Sequence, residues 1–140
     1  MPFTVKRLSS ADGPLFTRIA PDVFDEPVGS ARLAAYLSAT NHLMVVALEG
    51  GMIVGQCAGV MHHHPDKPTE LYVDEVGTAS THRRQGIARA MLDELFDWGR
   101  ELGCTEAWLG TELDNDPANA LYRGYRPTED EAMQFYVFRL

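Results

Sequence analysis

The chain lacks any run of apolar residues close to the roughly 20 that a membrane-crossing helix needs. Its first residues, Met1-Pro2-Phe3-Thr4-Val5-Lys6-Arg7, carry no apolar core of a secretion signal, so a soluble, cytoplasmic protein with no membrane partner is expected. Cysteine is scarce. Cys57 and Cys104 are the only two among 140 residues, and neither has a neighbouring cysteine, which excludes a disulfide framework and a cysteine-paired metal site. Both are expected to be small buried apolar residues. Positive charge is also in short supply, with 12 Lys and Arg against 20 Asp and Glu and a formal net charge of −8. A surface of that sign repels nucleic acid and anionic lipid and attracts cations. Nucleic acid is thereby disfavoured as a partner, and a basic small molecule fits. No repeat, low-complexity tract or linker divides the sequence, and residues 1–140 read as a single domain.

What is present is an alternation of strand-like and helix-like periods. Phe3–Leu8 alternates as an edge strand. Ser10–Ala20 reads as a short helix with Pro14 near its first turn, followed by an acidic loop, Pro21–Pro27. Ser30 is placed to cap a second helix with Leu33, Ala34 and Leu37 on its apolar side. His42–Leu48 and Met52–Met61 form a hairpin about Glu49-Gly50-Gly51, whose glycines supply the positive φ angles of a tight turn. Leu71–Thr78 is a further strand. Ile87, Met91, Leu95, Trp98 and Leu102 then recur at helical spacing, and Gly103 ends that helix. Thr105–Thr111 reads as a fifth strand, Pro117–Tyr122 as a short helix and Met133–Leu140 as a last strand. The whole is an α/β protein with a mixed sheet and helices packed on it.

The most informative stretch is Val76-Gly77-Thr78-Ala79-Ser80-Thr81-His82-Arg83-Arg84-Gln85-Gly86-Ile87-Ala88. A strand enters a basic, glycine-containing loop that opens directly into the longest helix. The first amides of a helix have no partner inside it, and its dipole adds partial positive charge at that end. Such an end attracts anions. Arg83 and Arg84 add full charges, Gly86 lets a phosphate approach the backbone, and Ala88 is small. A basic cluster in an acidic chain fits a bound pyrophosphate, the alternative being a solvated helix start that carries two arginines.

Arg83-x-x-Gly86-x-Ala88 resembles the acetyl-CoA signature of the GNAT superfamily, Gln/Arg-x-x-Gly-x-Gly/Ala. Asn115-x-x-Ala118-x-x-Leu121-Tyr122 resembles the later motif of the same family, at the expected separation of one helix and one strand. Leu71–Val76, His82–Ala88 and Asp116–Tyr122 together are similar to the aminoglycoside 3-N-acetyltransferase (fortimicin resistance) branch. The resemblance implies a GNAT-like sheet of six to seven strands with about four flanking helices. It also implies acetyl-CoA as cosubstrate, a primary amine as acceptor and a homodimer. In one place the chain departs from the family: Gly124-Tyr125 follows Tyr122 after Arg123 alone, where relatives place three residues. The short helix is therefore expected to end about half a turn early.

The resemblance also implies residue roles. Arg83, Arg84, Gln85, Gly86, Ile87 and Ala88 hold the pyrophosphate, Val76 and Thr78 offer backbone groups to the pantetheine arm, and Asn115, Ala118 and Tyr122 complete the cofactor side. Glu75, or else Asp74, takes the proton from the acceptor ammonium. Alternation along a strand sends the two to opposite faces and leaves the choice open. Tyr122 is the acid for the leaving thiolate. The acceptor is expected to be a small cationic or aminoglycoside-like amine. The alternatives are a protein Nα or lysine acetyltransferase and a CoA-binding domain without catalysis. Asp22, Asp25, Glu26, Asp114 and Asp116 are either the wall of an acidic groove or solvated loop charges. His62-His63-His64 is expected to hold no metal, because consecutive residues converge poorly and no carboxylate at suitable spacing completes the set. Trp98 and Trp108 are expected in the core.

Overall fold

The computed structural model describes residues 2–140. The chain divides into two compact units, Met1–Leu109 and Gly110–Leu140. The first contains a single sheet in the order β1-β2-β3-β4-β5, made of β1 (Thr4–Arg7), β2 (His42–Glu49), β3 (Met52–His62), β4 (Glu70–Thr78) and β5 (Glu106–Trp108). The first four strands are antiparallel to their neighbours, while β5 runs parallel to β4. Gly50 and Gly51, at φ 56° and 80°, make the β2–β3 turn that their sequence predicts.

Helix α1 (Ser30–Ser38) and helix α2 (Ile87–Glu101) belong to the same unit. Leu33, Tyr36 and Leu37 of α1 are half-buried and Ala34 is exposed. Ser30 is the first helical residue rather than the cap, a position taken by Gly29. The short helix expected over Ser10–Ala20 is a 3-10 helix, Ser10–Thr17. Ser9 and Asp12 cap it reciprocally, and Pro14 lies within it. The chain then leaves to bridge Ile19 to Ile53.

The core forms where α2 crosses the sheet. Ile87, Met91, Leu92, Leu95 and Gly99 of α2 are buried, with Leu71, Val73 and Cys57 beneath them. The buried stripe thus runs through Leu92 and Gly99 rather than through Trp98 and Leu102. Trp98 is half-buried under the Arg7 guanidinium, 5.4 Å from its ring centroid, and Leu102 is exposed. Close approach explains the stripe: a Cβ on Gly99 would lie 3.0 Å from Leu71 Cδ2, and one on Gly59 2.8 Å from Leu71 Cδ1. Arg7 ties β1 to α2 through Glu94 at 2.6 Å and through Glu101. Trp108 is likewise outside the core, 46% exposed and stacked on Tyr72 at 4.3 Å.

The second unit contains α3 (Asp116–Arg123). Asn115 caps it, its Oδ1 accepting from the Ala118 amide at 3.2 Å, and Pro117 occupies the first turn. The helix runs one residue past Tyr122 and tightens at its end, where the amides of Tyr125 and Arg126 donate to the carbonyls of Tyr122 and Arg123. Met133–Leu140 forms no strand. Met133, Phe135, Tyr136, Val137, Phe138 and Leu140 are exposed. An alternating apolar segment becomes a strand only when a neighbour takes its backbone hydrogen bonds, and among the described residues none does. The sheet accordingly has five strands rather than six to seven, and the mixed α/β class stands as expected. No helix among the described residues is long and apolar enough to cross a membrane.

Candidate active site

The site is built around an irregularity in β4. Ala58 pairs with Glu75, but the next residue of β3, Gly59, pairs with Val73, so Asp74 is an extra residue on β4. Val73 and Leu71 face α2, where Leu71 meets Gly59 and Gly99. Unbroken alternation would put Glu75 and Gly77 on that face too. Beyond the bulge they lie on the other one: a Cβ on Gly77 would meet the Val23 carbonyl oxygen at 2.4 Å. Glu75 lines a cavity of about 450 Å³ on that face, walled by Phe24, Asp25, Glu26, Tyr36 and Met44 among others.

Asp74 remains close enough to act on the same groups. The Tyr36 hydroxyl is pushed well above its usual range by burial first, and then by the charges of Asp74 and Glu75. Burial raises the Glu75 carboxyl, with Asp74 and Asp25 adding to the rise, while a hydrogen bond from Gln56 opposes it. Burial also raises Asp74, against its own backbone amide and His42. The bulge therefore replaces strict alternation at this point of β4. Glu75 faces the cavity, and Asp74 sits beside it instead of on the opposite face. Gln56 is 1% exposed, and its Nε2 donates to Val23 O at 3.4 Å. It links Glu75 to the loop that walls the cavity. Sequence reasoning missed Gln56, Tyr36 and Phe24. The available signal was one amide in the otherwise apolar run Ile53–Val60.

Of the acidic residues named from the sequence, Asp25 and Glu26 line the cavity. Asp22 accepts a hydrogen bond from Ser80 Oγ at 2.8 Å and so braces the loop after β4. Asp114 and Asp116 belong to the second unit. Neither thiol has the character of a nucleophile: burial pushes Cys57 up to about 12 and raises Cys104.

At its far end β4 passes through a short turn, Ser80–His82, into α2. His82 Nε2 lies 3.0 Å from Glu49, the Ala79 amide donates to Val54 O at 2.9 Å, and the loop is thus held at both margins. Arg83, Arg84, Gln85 and Gly86 are exposed, Ile87 is buried and Ala88 is half-buried. Arg84 has φ 63° and Gly86 φ 77°. Gly86 is the N-cap of α2 and has no side chain to close it, and the first helical bond, Ala90 to Gly86, leaves the earlier amides ahead of it. Nothing lies within 4 Å of a Cβ placed on Gly86. The turn is therefore an open, basic cradle at a helix start, where amides without helical partners attract anions. Upstream, β5 pairs only with Glu70, Leu71 and Tyr72, so Val73–Thr78 has no ladder partner on that edge among the described strands. Val76 and Thr78, paired with Cys57 and Gly55 on the other side, lie in this stretch. These features fit a phosphate-bearing cosubstrate with an extended amide-containing arm. Asn115, Ala118 and Tyr122 lie on or beside α3, with Asn115 engaged as its cap.

Comparison with known proteins agrees with this geometry. Residues 10–125 match the model of the Acetyltransferase (GNAT) family. The chain is 32% identical over 124 residues to the N-alpha-acetyltransferase RimI of Mycobacterium tuberculosis, covering 87% of this chain and 76% of that protein. It is 34% identical over 86 residues to the L-2,4-diaminobutyric acid acetyltransferase of Oceanobacillus iheyensis, covering 61% and 46%. Its fold is similar to that of an aminoglycoside acetyltransferase from an uncultured soil metagenomic sample, with a TM-score of 0.85, 22% identity and coverage of 99% and 96%. The open cradle before α2 and the matched sequence lead to one conclusion: this chain belongs to the GNAT acetyltransferase family and is an acyltransferase that uses acetyl-CoA.

Proposed function

We propose that the protein acetylates a primary amine on a small cationic acceptor bound in the cavity beside Glu75. The observation that supports this most directly is the bulge at Asp74, which aims Glu75 into a cavity walled by Asp25, Glu26 and the aromatic rings of Phe24 and Tyr36. Carboxylates attract an ammonium group, and ring faces favour cations. Acetyl-CoA supplies the electrophilic thioester. Arg83, Arg84 and the amides from Gln85 to Ala88 hold its phosphates, and Val76 and Thr78 orient the arm with their backbone groups. Glu75 takes a proton from the ammonium so that the nitrogen lone pair is free to attack. A carboxyl raised by burial is the stronger base, which suits that task near neutral pH. In this reading Tyr122 is the acid that protonates the sulfur as the carbon–sulfur bond breaks, on a helix that Asn115 caps.

A free-thiol release assay with acetyl-CoA, run against aminoglycosides, polyamines and short peptides, tests the proposal. Turnover with small polycations and not with peptides is expected. A second reading, acetylation of a protein N-terminus, draws on the similarity to RimI. Turnover confined to peptides would replace the first reading with that one.

A further inference from the structure

We propose that His62, His64 and Glu70 form a binding site for a divalent ion of the zinc class, at the end of the β3–β4 hairpin remote from the acetyl-CoA loop. His62 is the last residue of β3 and the register partner of Glu70, the first of β4. His64 lies two residues on, past the end of β3, and its ring stands beside that of His62, while His63 turns instead to Thr69. The histidines therefore do not converge as a consecutive triplet. They converge as alternate residues, and the fold brings across the hairpin the carboxylate that linear spacing did not provide.

The three side chains each offer one ligand atom, all within 4.8 Å of one another. His64 Nε2 is 3.0 Å from Glu70 Oε1, and the His62 and His64 ring centroids are 4.2 Å apart. Ligands at about 2.0–2.1 Å from a tetrahedral zinc lie roughly 3.4 Å apart, a separation that small side-chain rotations reach from here. Two imidazoles and one carboxylate match the donor set of borderline ions and leave a fourth position for water. His63 Nδ1 holds Thr69 Oγ1 at 3.1 Å, and Pro65 and Pro68 restrict the loop, so the ligands start close to their bound arrangement. Glu70 is five residues from Glu75, roughly 16 Å along an extended strand. The ion would clamp the hairpin without entering the acetyl-transfer centre.

The test uses the full chain freed of metal by a chelator and titrated calorimetrically with Zn²⁺. Saturable binding of one ion per chain is expected, with a rise in Tm that excess chelator reverses. His62→Ala, His64→Ala and Glu70→Gln should each remove the saturable binding, and His63→Ala should retain it. Circular dichroism of the metal-free variants separates a lost ligand from a lost fold. Substitution with Co²⁺ gives a second readout: visible bands without a thiolate charge-transfer band are expected, because neither Cys57 nor Cys104 is a ligand. Absence of saturable binding, binding that survives all three variants, or a thiolate band would each overturn the proposal.

Discussion

The two faces of the sheet in the first unit use opposite means. Toward α2 the surface is apolar and stepped by glycines, with Ile87 and Met91 seated over Gly55 and Leu95 over Gly59. Toward Tyr36 the same strands present Gln56, Asp74 and Glu75, and the cavity beside them stays partly open. Burial on the first face contributes stability. On the second it costs stability, because it raises the carboxyls of Glu75 and Asp74 by disfavouring their charged forms. One sheet thus separates an apolar face that holds the fold from a face that carries raised carboxyls beside a cavity.

The strongest test of that separation is Glu75→Gln. Loss of the proposed base should lower kcat by about 10²–10⁴-fold, measured by thiol release. The variant should be at least as stable as the parent at neutral pH, measured by thermal denaturation. The sign follows from the raised folded-state carboxyl. Between the ordinary glutamate value and the raised one, the folded chain holds more protons than the unfolded chain, so Glu75 lowers stability as pH rises through that window. Activity moves the other way, falling with pH as the raised carboxyl becomes protonated. A variant that lost stability and kept its rate would break the comparison.

Leu95→Ala is the counterpart on the packed face. Leu95 is fully buried, and its loss should cost about 2–5 kcal/mol in urea denaturation. Under conditions where the variant remains folded, the KM for the acceptor should be unchanged. Gly77→Ala joins the two faces' concerns, because its Cβ would fall 2.4 Å from the Val23 carbonyl, on the loop that leads into Phe24, Asp25 and Glu26. Displacing that backbone should cost about 1–3 kcal/mol and raise the KM for the acceptor more than that for acetyl-CoA. The smallest effect is expected from Arg7→Met, which loses the ion pairs to Glu94 and Glu101 but keeps apolar cover over Trp98. A fall in Tm of no more than about 4 °C is expected, and added salt should narrow the difference.

Much of this was legible in the sequence where a local rule decides the outcome. Gly50-Gly51 specified the hairpin, and Gly86 specified the abrupt start of α2, because glycine placement acts locally. The α2 stripe was legible in Ile87, Met91 and Leu95 but drifted to Trp98 and Leu102. The missing partner, Gly99, contributes by having no side chain, which an apolar periodicity does not register. The bulge left no trace in composition, since it depends on how β3 and β4 pair. Met133–Leu140 carried a strand pattern without a strand, because pairing belongs to the neighbour as much as to the segment. Gln56 was visible as an anomaly, but only contact with Glu75 and Val23 gives it a purpose.

The extra residue at Asp74 also sets the parity of β4. Residues before it count odd positions toward α2, and residues after it count even ones. A substitution at Asp74 changes one side chain, and deleting it would let Val73 and Glu75 follow in ordinary alternation with their faces unchanged, whereas one further residue inserted after it would shift the phase of everything downstream. Glu75 and Gly77 would exchange places with Val76 and Thr78, turning a carboxylate into the apolar layer and aliphatic groups into the cavity. The length of this strand, counted to a single residue, is therefore as much a part of the chemistry as the identity of any residue on it.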